Sequence, residues 1–260
     1  MNDCEESASK TVVVLGAGRS GTSLLCGVLS MLGVDFGRRL IPADASNPRG
    51  YFESTDFIKL NESVYMELRP HDDMHALSFS EIEPYLSTHD SAFKNLLYKL
   101  LYSRPSERYG LKAWRVPLIE LAIPHLIKPM FVVIHRDLDD TARSLKLHIE
   151  RRKEHRLISF EECKMITKEY HVEIDKVLSR HSEIPSVHVT FEELTGDIES
   201  VCERLAGFMR VTLSDEMLGN AKKFVLPTKA ERQKMARKAS LLLPFRRVLL
   251  ALHKHIFCAK

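Results

Sequence analysis

A glycine-rich turn between two apolar runs limits the possible folds of this chain more than any other feature. Residues 12–25 have the sequence VVVLGAGRSGTSLL. The first run, residues 11–15, is short and rich in β-branched residues, which predicts a strand buried on both faces. Residues 21–32 carry apolar side chains at helical spacing and are followed by Gly33, so we expect a helix that ends there. This order is typical of the first unit of a parallel α/β domain.

The turn matches the phosphate-binding pattern G-x-x-x-x-G-K-[ST] with one departure. Gly16 and Gly21 occupy the glycine positions, but Thr22 stands where the pattern has lysine. The first N–H groups of a helix have no partner within it, and the helix dipole favours an anion there. In triphosphatases the lysine reaches the outer phosphates, so its absence favours a donor of lower charge that needs no metal. We predict that the following residues bind this donor: Gly18, Arg19, Ser20, Gly21, Thr22 and Ser23.

Further apolar runs alternate with helical patterns along the chain. Strands are predicted near residues 109–114, 130–134 and 186–190. Helices are predicted at about residues 55–68, 90–104, 138–151, 160–180 and 192–209, with a short helix between Pro117 and Pro124. The alternation predicts an α/β fold of three layers, α/β/α, with a central parallel sheet like that of the P-loop nucleotide kinases.

An arginine follows three of the predicted strands. Ligands of parallel α/β sheets bind beyond the carboxyl ends of the strands. The segments that leave the strands at this edge contain Arg19, Arg115 and Arg136. Guanidinium groups suit a phosphorylated ligand because they can donate two parallel hydrogen bonds to phosphate oxygens.

Length and composition favour one domain in a reducing compartment. A chain of 260 residues, 44% hydrophobic, can bury one sizeable core. No run approaches the ~20 apolar residues that a bilayer requires. The polar, acidic start MNDCEESASK is unlike a secretory leader, and we expect residues 1–10 to be disordered. The five cysteines are widely spaced and odd in number, which predicts reduced thiols and a cytoplasmic location.

The net charge of +3 conceals a strongly basic C-terminus. Residues 222–260 contain eleven Lys or Arg and one acid, a local charge of +10, so residues 1–221 sum to −7. A basic extension on an acidic body indicates an anionic partner, such as a phosphorylated donor or a lipid surface. We expect residues 222–260 to pack on the domain or to rest peripherally on an anionic membrane.

Two signatures together carry a resemblance to a known family. GAGRSGTSLL looks like the 5′-phosphosulfate loop of sulfotransferases that use 3′-phosphoadenosine 5′-phosphosulfate (PAPS). Their second signature is a strand followed by Arg, seven residues and Ser, and FVVIHRDLDDTARSL supplies Arg136 and Ser144. In the family these two residues hold the 3′-phosphate. The resemblance to the bacterial-type members implies PAPS as donor, 3′-phosphoadenosine 5′-phosphate (PAP) as product, and no required metal.

Two weaker matches extend the resemblance to residues 11–211. GLKAWRVPL is similar to the G-x-K-D-P-R stretch of bacterial members, although Ala113 and Trp114 replace Asp-Pro. The segment that begins VHVTFEEL resembles a later family stretch, with Phe191 at a position that is often Tyr. We therefore expect the catalytic domain to span residues 11–221.

The same resemblance suggests the catalytic residues. ASNPRGYFES is similar to the N-P-x-G-Y-F-E stretch of bacterial relatives, so Glu53 is the candidate general base. Lys112, near a strand end, is the candidate stabiliser of the leaving group. The alternatives are that Glu53 only caps the helix near Thr55 and that Lys112 is solvated. Candidate acceptor-binding residues are Asn47, Arg49, Tyr51 and Arg115.

The predicted activity is transfer of a sulfuryl group from PAPS to a hydroxyl or amine. The sequence does not identify the acceptor, because acceptor pockets are built from loops; a carbohydrate, a lipid and a small metabolite are all possible acceptors. One alternative is an ATP-dependent kinase of related P-loop fold that acts on a small molecule or a nucleotide. Another is a nucleotide-sensing or nucleic-acid-binding module, although no nucleic-acid motif is present. The stretch HDDMH has histidines four residues apart but lacks the accompanying glutamate and third ligand, so we expect no metal site.

Overall fold

Four parallel strands form the centre of the protein. In the computed structural model, residues 9–44, 47–69, 75–102, 105–113, 115–151 and 157–226 are described. The strands are β1 (Lys10–Leu15), β2 (Arg108–Lys112), β3 (Pro129–His135) and β4 (Ser186–Thr190). Their order in the sheet is β2-β1-β3-β4, and every neighbouring pair is parallel. The predicted parallel α/β architecture is therefore confirmed.

Helices cover both faces of this sheet. The helices are α1 (Thr22–Met31), α2 (Thr55–Leu68), α3 (Phe79–Ile82), α4 (Tyr85–Thr88), α5 (Asp90–Leu97), α6 (Leu138–Arg151), α7 (Phe160–Arg180), α8 (Phe191–Gly196), α9 (Ile198–Met209) and α10 (Asp215–Val225). A π-helical turn, Tyr98–Tyr102, follows α5, and two 3-10 helices, Val116–Leu121 and Ile123–His125, follow β2. Among the helices within these described ranges, none combines the length and the apolarity needed to cross a bilayer.

Alternate strand residues pack on opposite sides of the sheet. Val13 and Phe131 contribute to one apolar cluster, which includes residues of α2, α5, α6 and α7. Val12 and Val132 contribute to the other, which includes residues of α1, α9 and α10. All four of these strand side chains are completely buried, as expected for a parallel sheet covered on both faces. The three predicted layers follow from this double burial.

Several element boundaries differ from the sequence-based expectations. The helix predicted at 192–209 is two helices, because the Thr190–Glu193 capping box starts α8 and the side chain of Asp197 caps α9. The helix predicted at 90–104 ends as an α-helix at Leu97. α10 was not predicted, and it runs across the predicted domain boundary at residue 221. Residues 1–8, Trp114 and the basic residues 227–260 lie outside the described residues.

Candidate active site

The turn after β1 has a backbone conformation that only certain residues tolerate. Gly21 has a φ of 101°, in the left-handed region that favours glycine, and Arg19 adopts a φ of 73°. A Cβ atom at Gly16 would lie 2.6 Å from Cγ2 of Thr22 and 2.7 Å from Cγ2 of Ile134. A side chain at residue 16 would therefore force the turn away from β3. Non-glycine residues with positive φ concentrate at functional sites.

This turn has the features of an anion site. Gly21 is the N-cap of α1, no side chain caps the helix, and no acidic residue lies in its first turn. The N–H groups of that turn are therefore open to an external acceptor. The hydroxyl oxygen of Ser20 is buried and has no hydrogen-bond partner within the described residues. Burial of a polar atom without a partner costs free energy, so a ligand that bonded to this oxygen would gain that energy.

Three of the predicted donor-binding side chains converge beside the turn. Nε of Arg19 donates to Oγ of Ser144 at 3.3 Å, so residues from the β1 turn and from α6 are in contact. Nη1 of Arg136 donates to the carbonyl oxygen of Arg19 at 3.2 Å. The Arg136 guanidinium also lies over the ring of Phe191, 4.3 Å from its centroid. Its Nε is buried without a partner in the described part of the chain, so this donor remains for a ligand.

Glu53 and Lys112 form a buried ion pair. Nζ of Lys112 lies 2.6 Å from Oε1 of Glu53, and the two side chains are only 6% and 7% exposed. The same Nζ donates to Oγ of Ser23 at 2.9 Å and to the carbonyl oxygen of Tyr51 at 3.1 Å. The sequence suggested both residues but not their contact, because 59 positions separate them.

Neither simpler alternative for the two catalytic candidates survives. The N-cap of α2 is Ser54, whose hydroxyl accepts from the Phe57 amide at 3.3 Å, so Glu53 does not cap this helix. Lys112 is not a solvated strand-end lysine, because all three of its ammonium hydrogens have protein acceptors. The pair also adjoins the end of the phosphate-binding turn through Ser23.

Asp44 organises the loop that carries Glu53, and sequence reasoning missed it. It is 2% exposed, and its Oδ1 accepts from the Asn47 amide at 2.9 Å and from the Tyr51 hydroxyl at 2.8 Å. Nδ2 of Asn47 donates to Oγ of Ser23 at 3.0 Å, so the loop is tied to the first turn of α1. The available sequence signal was an aspartate close to other turn-forming residues, because the side chain of such an aspartate often accepts a hydrogen bond from a nearby backbone amide.

Arg49 joins the loop to the unpredicted helix α10. Its Nη2 donates to the carbonyl oxygen of Val225 at 2.9 Å, and its guanidinium lies 5.7 Å from the centroid of Phe224. Phe224 also packs over α1, where a Cβ at Gly27 would lie 2.0 Å from its ring. α10 therefore holds the loop against α1. An acceptor-binding role for Asn47, Arg49 and Tyr51 stays a prediction.

Arg115 is held by protein groups on the α2 and α7 side. Its guanidinium lies 3.4 Å from the centroid of Tyr65 and donates to Glu62 and to the Tyr170 hydroxyl. Burial works against its charge, but the neighbouring Tyr170 and Glu62 oxygens raise the pKa of Arg115 above its ordinary value. These contacts give Arg115 a role in packing, and its acceptor-binding role stays a prediction.

Two further groups near the site are held in their neutral forms. Burial raises the pKa of the Cys26 thiol to about 12, with the charges of Lys112 and Glu53 acting in opposite directions. Cys26 is therefore not a nucleophile at neutral pH. Burial, followed by the charges of His188 and His171, lowers the pKa of His135, whose Nε2 lies 2.8 Å from Nδ1 of His188. Within the described ranges, no three His, Cys, Asp or Glu residues are placed to hold a metal ion.

Comparison with known proteins supports one family. Residues 11–215 match the sulfotransferase family. No curated protein sequence matches this chain. Among solved structures, the sulfotransferase STF9 from Mycobacterium avium is similar with a TM-score of 0.52 at 15% identity, covering 85% of this chain and 69% of that one.

Two other solved structures share the same fold. The sulfotransferase domain of the Synechococcus PCC 7002 olefin synthase has a TM-score of 0.52 at 12% identity, covering 91% of this chain and 97% of that one. The sulfotransferase STF1 from Mycobacterium tuberculosis H37Rv has a TM-score of 0.50 at 12% identity, covering 88% and 76% of the two chains. At these identities the likeness concerns the fold alone.

Proposed function

Because this chain belongs to the sulfotransferase family, we propose that it transfers a sulfuryl group from PAPS to a hydroxyl or an amine of an acceptor. One observation supports this proposal most directly. The uncapped start of α1, with the unpartnered hydroxyl of Ser20, lies beside Arg136, whose Nε is also unpartnered within the described residues. Two anion sites at the ends of adjacent strands suit a nucleotide that carries phosphate at both its 5′ and its 3′ positions.

The residues present fit such a donor. The turn amides and the hydroxyls of Ser20, Thr22 and Ser23 would hold the 5′ end. Arg136 and Ser144 would hold the 3′-phosphate. The cations Arg19, Lys112 and Arg136 supply the positive charge at this edge, so we propose that no metal takes part. When bound, PAPS supplies the sulfuryl group and a phosphate leaving group.

Glu53 is the proposed proton acceptor. Its Oε1 is occupied by Lys112, whereas its Oε2 makes no hydrogen bond within the described part of the chain. We propose that Oε2 takes the proton that the acceptor hydroxyl or amine gives up as its oxygen or nitrogen attacks sulfur. The ion pair with Lys112 also holds the carboxylate of Glu53 in position.

Lys112 is the proposed stabiliser of the leaving group. Its ammonium group lies between Glu53 and Ser23, and Ser23 lies at the start of α1, at the end of the glycine-rich turn. We propose that Lys112 donates an N–H to the charge that develops on the leaving phosphate, in exchange for one of its three present acceptors. A buried cation close to a developing negative charge stabilises it more strongly than a cation in water does.

The acceptor class and the location remain part of the proposal. We propose a hydroxyl-bearing small molecule, carbohydrate or lipid as acceptor, and no nucleic-acid partner. We also propose a cytoplasmic location, because Cys26 and Cys202 are reduced thiols buried in the core. The basic residues 222–260 stay a candidate contact for an anionic membrane.

An activity assay tests the proposed function. Purified protein is incubated with PAPS, EDTA and a panel of hydroxyl and amine acceptors, and PAP release is measured by chromatography. We expect acceptor-dependent PAP release that persists in EDTA and is lost in Glu53→Gln. ATP consumption that depends on magnesium, with no PAP release across the panel, would instead support a kinase.

A further inference from the structure

A cavity of about 240 Å³ opens beside β2, the strand at one end of the sheet order, just beyond the point where Asp35 pairs with Tyr109. Its walls come from residues 36–40, residues 52–56, the π-helical turn after α5 and the last residues of β2. Phe36, Leu40 and Phe52 belong to one of the two apolar layers, whereas Leu100 and Leu101 belong to the other. The cavity therefore lies where the two layers meet beyond the edge strand.

The cavity borders Lys112 and, through it, adjoins Glu53. Lys112 lines it and also forms the ion pair with Glu53. Phe52 lines it too, and directly precedes Glu53 in the chain. Phe52 has a φ of 57°, a strained backbone conformation for a bulky residue, and its ring packs edge-on against Phe36 with centroids 5.7 Å apart. This conformation sends two consecutive side chains to different places, one into the cavity wall and the other to Lys112.

The chemistry of the cavity is apolar inside and positive at its mouth. The aromatic and aliphatic side chains supply the interior, whereas Arg38, Arg39 and Lys99 are exposed cations of its lining. Asp56 is the acidic residue among the lining side chains, and it pairs with Arg39 at 2.9 Å. Arg38 makes no ion pair within the described residues. The lining thus has a net charge of at least +2, which complements a ligand with an anionic group.

We propose that this cavity binds the acceptor, and that the acceptor is a slender apolar molecule carrying an acidic group in addition to the hydroxyl. The identification of this ligand as the sulfuryl acceptor rests on the proposed function, whereas the binding site itself does not. The volume accommodates on the order of eight water-sized groups, enough for a short chain or one ring. The apolar part lies against Phe36, Leu40 and Phe52, and the anionic group lies near Arg38. The hydroxyl then lies on the Lys112 side, next to Glu53.

Three probes of equal chain length test the inference: 8-hydroxyoctanoate, octane-1,8-diol and 8-aminooctan-1-ol. Binding of each is measured by ligand-observed NMR without any donor. We expect the anion to bind most tightly and the cation least tightly. Arg38→Glu should weaken binding of 8-hydroxyoctanoate by roughly tenfold and leave the diol within a factor of about two. Leu40→Trp, which fills the interior, should weaken binding of all three probes.

Lys168→Glu is the matched control, because Lys168 is an exposed cation on α7 that does not line the cavity. It should change no probe's affinity. Equal binding of the three probes, or an affinity for 8-hydroxyoctanoate that neither Arg38→Glu nor Leu40→Trp changes, would overturn the inference.

Stabilisation by PAP, measured on the same preparation, separates this failure from failure of the proposed function. PAP stabilisation without selective probe binding overturns the cavity assignment alone. Selective probe binding without PAP stabilisation supports the cavity as an anion-selective site and overturns the proposed function.

Discussion

The proposed donor side and the proposed catalytic side of the site differ in how completely their polar groups are paired. The donor side is the turn at residues 16–23 with Arg136 and Ser144, and it keeps a buried hydroxyl on Ser20 and a buried Nε on Arg136 without partners in the described chain. The catalytic side is the loop at residues 44–53 with Lys112, where every ammonium hydrogen of Lys112 has an acceptor.

This difference in pairing indicates how each side would interact with a ligand. The donor side gains hydrogen bonds when an anion binds, because its free donors are buried and gain nothing from water. The catalytic side must exchange one protein acceptor of Lys112 for a ligand atom. Changes on the donor side should therefore act on donor affinity, whereas changes on the catalytic side should act on turnover and on stability.

The largest effect is expected from Glu53→Gln. If Glu53 is the general base, turnover should fall by roughly 10²–10⁴-fold while PAP affinity changes little. Loss of the carboxylate also leaves the buried Lys112 charge unpaired, so the free energy of unfolding should fall by about 3 kcal/mol or more. Initial-rate kinetics, PAP titration and urea unfolding measure the three quantities.

The double variant Glu53→Gln/Lys112→Met serves as the control for stability. Replacing Lys112 by an apolar side chain removes the unpaired charge, so part of the stability should return while activity stays lost. Full activity in Glu53→Gln would show that another residue is the base. It would also contradict the expectation that changes on the catalytic side act on turnover.

Arg136→Ala should act on donor affinity. Loss of a charge-assisted contact with the 3′-phosphate should weaken PAP binding by roughly 10–100-fold. Arg143→Ala is the matched control, because Arg143 is an exposed arginine of α6 that pairs with Asp140 and directly precedes Ser144. Calorimetric titration compares the two variants. Equal PAP affinity in Arg136→Ala and the unchanged protein would contradict the donor assignment.

Ser20→Ala tests the donor side by removing a single oxygen atom. Its hydroxyl has no partner in the described chain, so its removal should leave the free energy of unfolding nearly unchanged and weaken PAP binding a few-fold, by about 1 kcal/mol. Ser159→Ala is the control, because Ser159 caps α7 by accepting from the Glu162 amide at 3.0 Å. That variant should lose about 1 kcal/mol of stability and keep its PAP affinity. The reverse pattern would show that Ser20 is structural.

The smallest expected effect is on how the free energy of unfolding depends on pH. His135 precedes Arg136, and burial lowers the pKa of both His135 and His171 below the ordinary value of 6.5. The unfolded chain therefore takes up these protons first as pH falls, so the free energy of unfolding should decrease below about pH 6.5. His135→Gln should flatten this decrease between about pH 7 and pH 5 in urea unfolding. An unchanged slope would show that His135 titrates equally in both states.

The donor side was predictable because it obeys local rules. The turn at Gly16 and the strand before Arg136 each combine an apolar run with a helix start, and the parallel sheet brings their ends to one edge. The sequence therefore predicted both segments and their common location. It did not predict that Arg19 contacts Ser144, because side-chain contacts between segments depend on packing.

The catalytic side was predictable only in part. Resemblance of the loop suggested Glu53 and Lys112, but their ion pair depends on the exact path of residues 44–53, which Asp44 holds by hydrogen bonds to Asn47 and Tyr51. α10 does carry helix signals that sequence reasoning missed: Ser214 caps it, and apolar residues that pack in the α1 layer lie at helical spacing, at Met217, Leu218, Ala221 and Val225. The path of an irregular loop, by contrast, leaves no periodic signal in a sequence.

The central claim is that two anion sites hold both ends of one nucleotide without a divalent ion. Thermal unfolding in EDTA with PAP, and separately with ADP at the same concentration, tests it most directly, because ADP lacks the 3′-phosphate that Arg136 and Ser144 are proposed to hold. The account predicts a clearly larger increase in Tm with PAP than with ADP, and no further increase when magnesium replaces EDTA. Equal increases with the two nucleotides, or an increase with PAP that requires magnesium, would contradict it.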